Sequence, residues 1–148
     1  MPWAPHVTVA TVLEREGRFL LVEEQTEDGI RFNQPAGHLE RNESLVEGAV
    51  RESLEETGHH VAIEYLIGVY RWPHPRRDLV YLRFAFAGRV LSHDTDRRLD
   101  EGILRAVWMT PDEIRSTASG HRSPLILQCI DDYLAGRRFD LSLLRHYP

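Results

Sequence analysis

Apolar and polar positions alternate from His6 to Leu13, with Val7, Val9 and Thr11 on one face, which predicts a strand. The Glu16-Gly17 turn leads into a second strand, Arg18 to Glu24, through Phe19-Leu20-Leu21-Val22. Gln25 to Gly29 is polar turn material, Ile30 to Asn33 begins a short strand, and Pro35 and Gly37 should interrupt regular pairing. A helix is predicted over Leu45 to Thr57. Ser44 with Glu47 three residues later forms a capping box, and Gly58 supplies the stop. Two further β-type runs follow, Val61 to Trp72 and Leu79 to Ala87, then a polar loop from Leu91 to Gly102 and a strand over Ile103 to Met109. Thr110-Pro111-Asp112-Glu113 opens one closing helix, and Ser123-Pro124 opens another that should stop near Gly136. No repeat or linker divides the chain. The pattern predicts an α/β fold, a mixed sheet packed between helices, as one domain over residues 1–148.

Composition narrows the chemistry. Of 148 residues, 42% are hydrophobic and 28% charged, with a net charge of -5, so no broad electrostatic pull toward nucleic acid polymers or anionic membranes is expected. No apolar run approaches the roughly 20 residues needed to cross a bilayer, and Met1-Pro2-Trp3-Ala4-Pro5-His6 lacks the basic and apolar regions of a secretory signal. The single Cys129 suits a reducing compartment, so a cytoplasmic location is expected. All 18 basic Lys+Arg positions are Arg. That excludes a Schiff-base lysine, a lysine general base and a Walker-type phosphate loop, and leaves a planar cationic fork for phosphate oxygens.

The most informative segment runs from Gly37 to His59. On a helix advancing about 100° per residue, Val46, Ala49, Val50, Ser53 and Thr57 share one face, and Glu52, Glu55 and Glu56 share a neighbouring one. Gly48 lies on the carboxylate face one turn earlier, where a missing side chain would leave space for a ligand. Three stacked carboxylates repel, and a hard cation such as Mg²⁺ would offset this. The competing explanation is a solvated face in which Arg51 pairs with Glu47 or Glu55.

Gly37, Glu43, Arg51-Glu52, Glu55-Glu56 and Gly58 together resemble, in identity and spacing, the signature box of the Nudix hydrolases. The resemblance implies a Nudix-type α/β/α sandwich that hydrolyses diphosphate linkages with Mg²⁺ or Mn²⁺. It implies that Glu52, Glu55 and Glu56 hold metal, with the Gly37 carbonyl and, from a later loop, Asp100 as additional ligands. Glu101 is the neighbouring candidate. Glu52 or Glu55 would serve as general base, and Glu43 and Arg51 would pair behind the metal site. Ser53 and His59 stand where the box has bulky apolar residues; the Ser53 hydroxyl would bond the carbonyl one turn back.

Short segments outside the box resemble a phosphatase branch of the same family. These are His6-Val7-Thr8-Val9-Ala10, Val22-Glu23-Glu24, Asn33 to Glu40, Leu82-Arg83-Phe84 and Ser123-Pro124-Leu125. That branch releases orthophosphate from nucleoside tri- and diphosphates, and acts on hydroxymethylpyrimidine diphosphate and thiamine diphosphate. The implied partner is a small nucleotide or diphosphate; the oligomeric state stays open. Asn33, Gln34 and His38 flank Gly37 and are candidate substrate contacts, or else Asn33 and Gln34 satisfy loop backbone. Arg83 is a candidate phosphate clamp or a solvent-facing arginine. Tyr70 and Trp72 are candidates for stacking on a base, or for core packing. His74, His93, His121 and His146 have no metal-ligand spacing and are expected at the surface.

Three alternatives are set beside this reading. Pro73 and Pro75 beyond the box point weakly to an ADP-ribose pyrophosphatase. A Nudix-fold sensor would bind a nucleotide without turnover, although such proteins often lose box carboxylates that are intact here. A structural domain with an ordinary acidic helix would be indifferent to Mg²⁺.

Overall fold

The computed structural model describes residues 2–148, so Met1 of the expected 1–148 domain lies outside the described residues. The strands are β1 (His6–Arg15), β2 (Arg18–Thr26), β3 (Gly29–Asn33), β4 (Ala36–His38), β5 (His59–Pro73), β6 (Val80–His93) and β7 (Ile103–Met109). The helices are α1 (Leu45–Thr57), α2 (Pro111–Ser116) and α3 (Leu125–Leu134). Strand order is β3-β2-β1-β6-β5, with β4 added to β1 and β7 to β2. β1 and β2 pair only at their hairpin end, Glu14 with Phe19 and Arg15 with Arg18. The sheet therefore opens into two leaves, β4-β1-β6-β5 and β3-β2-β7, and the functional cleft lies at their open end.

β1 runs parallel to β6 at the centre of the larger leaf and is buried on both faces, as parallel pairs are. On one face Val9, Leu66 and Phe86 pack against Ala49 of α1. On the other, Val12, Ile67 and Ala85 pack with Ile114 of α2 and with Cys129 and Ile130 of α3. This is the α/β/α arrangement, formed because α1 and α3 each turn an apolar stripe toward one face of the leaf. Among the described residues no helix is long and apolar enough to cross a membrane.

The expected elements are present, with differences in their bounds and pairing. Pro35 and Gly37 do not interrupt pairing: Ala36–His38 forms β4, antiparallel to Thr8–Ala10 of β1. Proline stands just outside the paired residues, so its missing N–H costs no ladder bond. β6 continues through Leu91 to His93, inside the expected loop, because it keeps pairing with His59 and His60. The last helix ends at Leu134, near Gly136 as expected, and that glycine takes φ 80°. A short 3-10 turn, Leu141–Leu143, extends the order beyond the expected helices.

α1 closes its ends as the capping residues require. Ser44 Oγ accepts from Glu47 N at 3.1 Å, and Glu47 Oε1 accepts from Ser44 N at 2.9 Å. Gly58, at φ 72°, donates its N–H to Leu54 O. Ser53 Oγ does bond the carbonyl one turn back, Ala49 O at 2.9 Å, and also meets Thr11 Oγ1 at 3.0 Å across the core. His59 starts β5 buried. Its ring stacks on His93 with centroids 3.9 Å apart and donates from Nδ1 to Thr57 O at 2.9 Å, while Nε2 has no partner among the described residues.

Candidate active site

The chemistry-bearing side chains gather because β4 and the 94–102 connection converge on α1. Gly37, on β4, lies directly under the Glu52 carboxylate, which a Cβ at that position would overlap. The 94–102 connection is tied back to the helix end, Asp94 N to Gly58 O at 2.8 Å and Asp100 N to Glu55 O at 3.0 Å. Asp100 is thereby brought to the carboxylate face, whereas Glu101 is outside the cavity. Glu52, Glu55, Glu56, Gly37 and Asp100 all line one cavity of about 590 Å³.

Arg51 organises this wall. Nε donates to Glu43 Oε2 at 2.9 Å and Nη2 to Glu43 Oε1 at 2.7 Å, a two-point grip. Nη1 donates to Glu52 Oε1 at 2.7 Å and Glu55 Oε1 at 3.1 Å, and Nη2 reaches His38 O at 3.1 Å. The helical partner of Arg51 is thus Glu55; Glu47 is engaged in the capping box. The space at Gly48 is not left for a ligand: a Cβ there would meet Glu43 Oε1 at 2.9 Å, so the glycine makes room for Glu43.

Two of the three helix carboxylates are buried rather than solvated, Glu52 at 8% and Glu56 at 9% exposure. Burial pushes the Glu52 carboxyl up to about 6, against the pull of Arg51. Burial pushes Glu56 up to about 9; the Ala36 N–H, donated to Glu56 Oε1 at 2.9 Å, opposes the rise, and the charges of Glu24, Glu52 and Asp100 add to it. Asp100 is raised by burial and by Glu55. Such a wall holds more negative charge than its own cations neutralise, and its donors are hard oxygens, so the residues fit a divalent cation. Among the described residues no three carboxylates or imidazoles stand in a ready ligand cluster. Arg51 Nη1 lies between Glu52 and Glu55 instead, and binding requires those side chains to regroup.

Opposite the carboxylates the floor is cationic. Arg83 is not solvent-facing: it is 6% exposed, lines the cavity, and has no carboxylate partner among the described residues. Its Nη1 donates to Gln34 Oε1 at 2.8 Å and its Nη2 to Asn33 Oδ1 at 2.9 Å. Gln34 is fully buried and outside the cavity lining; its Nε2 donates to Ile126 O at 2.8 Å. Asn33 and His38 do line the cavity. Trp72 lines it too, stacked on Tyr81 with centroids 6.0 Å apart. Tyr70 is turned away, packed on the core with its hydroxyl donated to Asp132 Oδ2 at 2.7 Å. Of the histidines expected at the surface, His74 is half-buried in the cavity wall and His121 is half-buried near Thr117.

Sequence reasoning missed Glu24 and Arg122. Glu24 is 7% exposed and accepts from Arg122 Nη1 at 2.6 Å, and Arg122 lines the cavity. One signal was available: Glu24 continues the alternation of Leu20 and Val22, which points it inward. The cavity mouth is crossed by two ion pairs between the β2–β3 turn and the β5–β6 loop, Arg76 with Asp28 at 2.9 Å and Arg77 with Glu27.

A family model of the NUDIX domain matches residues 2–129, the span that holds every cavity-lining residue named above. The chain belongs to the Nudix family. Phosphatase NudJ of Escherichia coli K12 is 41% identical over 140 residues, covering 95% of this chain and 90% of that protein. A Nudix hydrolase from Nitrosomonas europaea superposes with a TM-score of 0.95 at 50% identity, covering 97% of this chain and 98% of that one. An ADP-ribose pyrophosphatase from Streptococcus suis shares the fold, with a TM-score of 0.67 at 18% identity over 98% and 97% of the two chains. The protein is therefore a Nudix hydrolase similar to a phosphatase. Its two departures from the Nudix box, Ser53 and His59, are both buried and outside the cavity lining.

Proposed function

We propose that this Nudix enzyme is a Mg²⁺-dependent phosphatase of nucleoside tri- and diphosphates and of small diphosphates such as hydroxymethylpyrimidine diphosphate or thiamine diphosphate, releasing orthophosphate. The observation that carries the reading is a single cavity walled by buried carboxylates on α1 and floored by the buried, acid-free Arg83. Likeness to Phosphatase NudJ over most of both chains supports the reaction type.

Glu52, Glu55 and Glu56, with the Gly37 carbonyl and Asp100, would hold the divalent cation. When bound, such a cation neutralises phosphate oxygens and acidifies water. The chain's own residues do the rest. Glu52 or Glu55 accepts the proton of the attacking water, whose oxygen bonds to phosphorus as the anhydride oxygen departs. Glu43 keeps Arg51 in place so that the helix carboxylates share one orientation. Arg83 donates to phosphate oxygens, and Trp72 with Tyr81 offers an aromatic wall to the remainder of the substrate. A binding surface directed at phosphate and at any flat ring suits a broad substrate range.

The test is direct orthophosphate release, without a coupling phosphatase, from GTP, GDP, hydroxymethylpyrimidine diphosphate and ADP-ribose, with Mg²⁺ and then EDTA. Metal-dependent phosphate from the first three is expected. No phosphate from these, with AMP formed from ADP-ribose, would overturn the substrate assignment and leave the hydrolase standing.

A further inference from the structure

Arg83 presents an unusual electrostatic arrangement. A guanidinium this deeply buried is ordinarily paired with a carboxylate, because an unpaired buried charge is costly. Here both terminal nitrogens are held by neutral amide oxygens, at 2.8 Å by Gln34 and 2.9 Å by Asn33. Gln34 is itself immobilised, with no exposure and its Nε2 bonded to Ile126 O in the first turn of α3. Neighbouring strands reinforce the position: Arg83 sits in register with Thr8 of β1, which is in register with His38 of β4. The nearby arginine of the cavity, Arg122, is by contrast already paired with Glu24.

Resting on the function proposed above, we infer that Asn33 and Gln34 are positioning residues that hold Arg83 in place while leaving its charge uncompensated. The phosphoryl group of the substrate is then the counter-ion that the fold withholds. Amides rather than acids at these two positions are what the anion affinity depends on. An aspartate at 33 would keep the hydrogen bond and cancel the cation; an alanine would remove the bond and leave the cation.

The experiment compares Asn33→Asp, Asn33→Ala and Gln34→Glu with the parent enzyme. Binding of inorganic orthophosphate by calorimetry, KM and kcat for phosphate release from GDP, and thermal midpoint are measured for each. For Asn33→Asp, phosphate affinity should fall and KM should rise by about tenfold or more, while the thermal midpoint holds or rises because a buried cation has gained a partner. The change in kcat should be the smaller one. Asn33→Ala should lose less phosphate affinity and lower the midpoint. Gln34→Glu delivers the same charge to the other terminal nitrogen, and should weaken phosphate binding even if loss of the Ile126 bond lowers its stability. Unchanged phosphate affinity in both acidic variants would overturn the inference. So would equal weakening by Asp and Ala at position 33, which would make geometry rather than charge decisive. So would a raised KM with phosphate affinity intact, which would assign Arg83 to a neutral acceptor. Orthophosphate binding is read without turnover, so failure of the substrate assignment leaves this comparison interpretable.

Discussion

At the scale of single residues, the carboxylates of α1 gain their chemistry from how deeply they are set. Glu56 is deeply buried, held by one backbone N–H and close to the charges of Glu24, Glu52 and Asp100, so in the metal-free protein its proton is retained above the usual carboxylate range. Glu56→Gln keeps the acceptor for Ala36 N and cannot ionise in either the folded or the unfolded chain. It should abolish phosphate release, raise the metal-free stability at pH 8 by about 1–3 kcal/mol, and remove the stabilisation by Mg²⁺. Thermal melts with Mg²⁺ or EDTA check both signs. Wild-type-like activity would sink the metal assignment. Gly37→Ala is expected to displace the Glu52 carboxylate and lower kcat by about a hundredfold with the fold retained, as read by kinetics beside circular dichroism.

At the scale of elements, α1 was legible because its signals are local: a capping box, a glycine stop and a spacing of three and four residues. Its core face was only partly legible. Val46 and Val50 are half-buried beside fully buried Ser53, whose hydroxyl is matched by Thr11 from a strand 42 residues away. Ser53→Ala should cost about 1–2 kcal/mol by stranding the buried Thr11 hydroxyl. Adding Thr11→Val should recover most of it, a coupling that urea denaturation of the double-mutant cycle measures. β4 was illegible because three residues carry no periodicity; pairing with β1 makes it a strand. Glu24 with Arg122 and Arg83 with its two amides were missed as sets for the same reason. They join positions 98, 49 and 50 residues apart, and only the folded leaves bring them together.

At the scale of the whole molecule, stability against pH reports the balance between the site and the core. Glu52 and Glu56 have folded values of about 6 and about 9, above their ordinary 4.5. Their contribution is complete below about pH 4.5 and is lost as pH rises toward 9. His38, His59 and His121 are lowered from 6.5, by burial in each case. Their contribution is complete above about pH 6.5 and is lost on acidification. Between pH 7 and 9 Glu56 dominates, joined toward the upper end by the Cys129 thiol that burial also raises, so the metal-free midpoint should fall across that window and saturating Mg²⁺ should reduce the fall. A rise with EDTA present would contradict the burial of Glu56.

The two ion pairs that cross the mouth bear on traffic rather than chemistry. They join a turn and a loop about 50 residues apart in the chain, and both are exposed. Exposed pairs of this kind hold by only about 0.2–1 kcal/mol each, so the rim parts readily. Added salt loosens the bridge and also weakens the pull of Arg76 and Arg77 on an arriving polyanion. The two effects oppose each other, so kcat/KM should pass through a maximum as ionic strength increases. Charge removal at Glu27 and Asp28 together should shift that maximum toward lower salt. The arginines of the mouth would then serve as both bolt and bait, engaging the acids of the facing turn at rest and the incoming phosphates in passing.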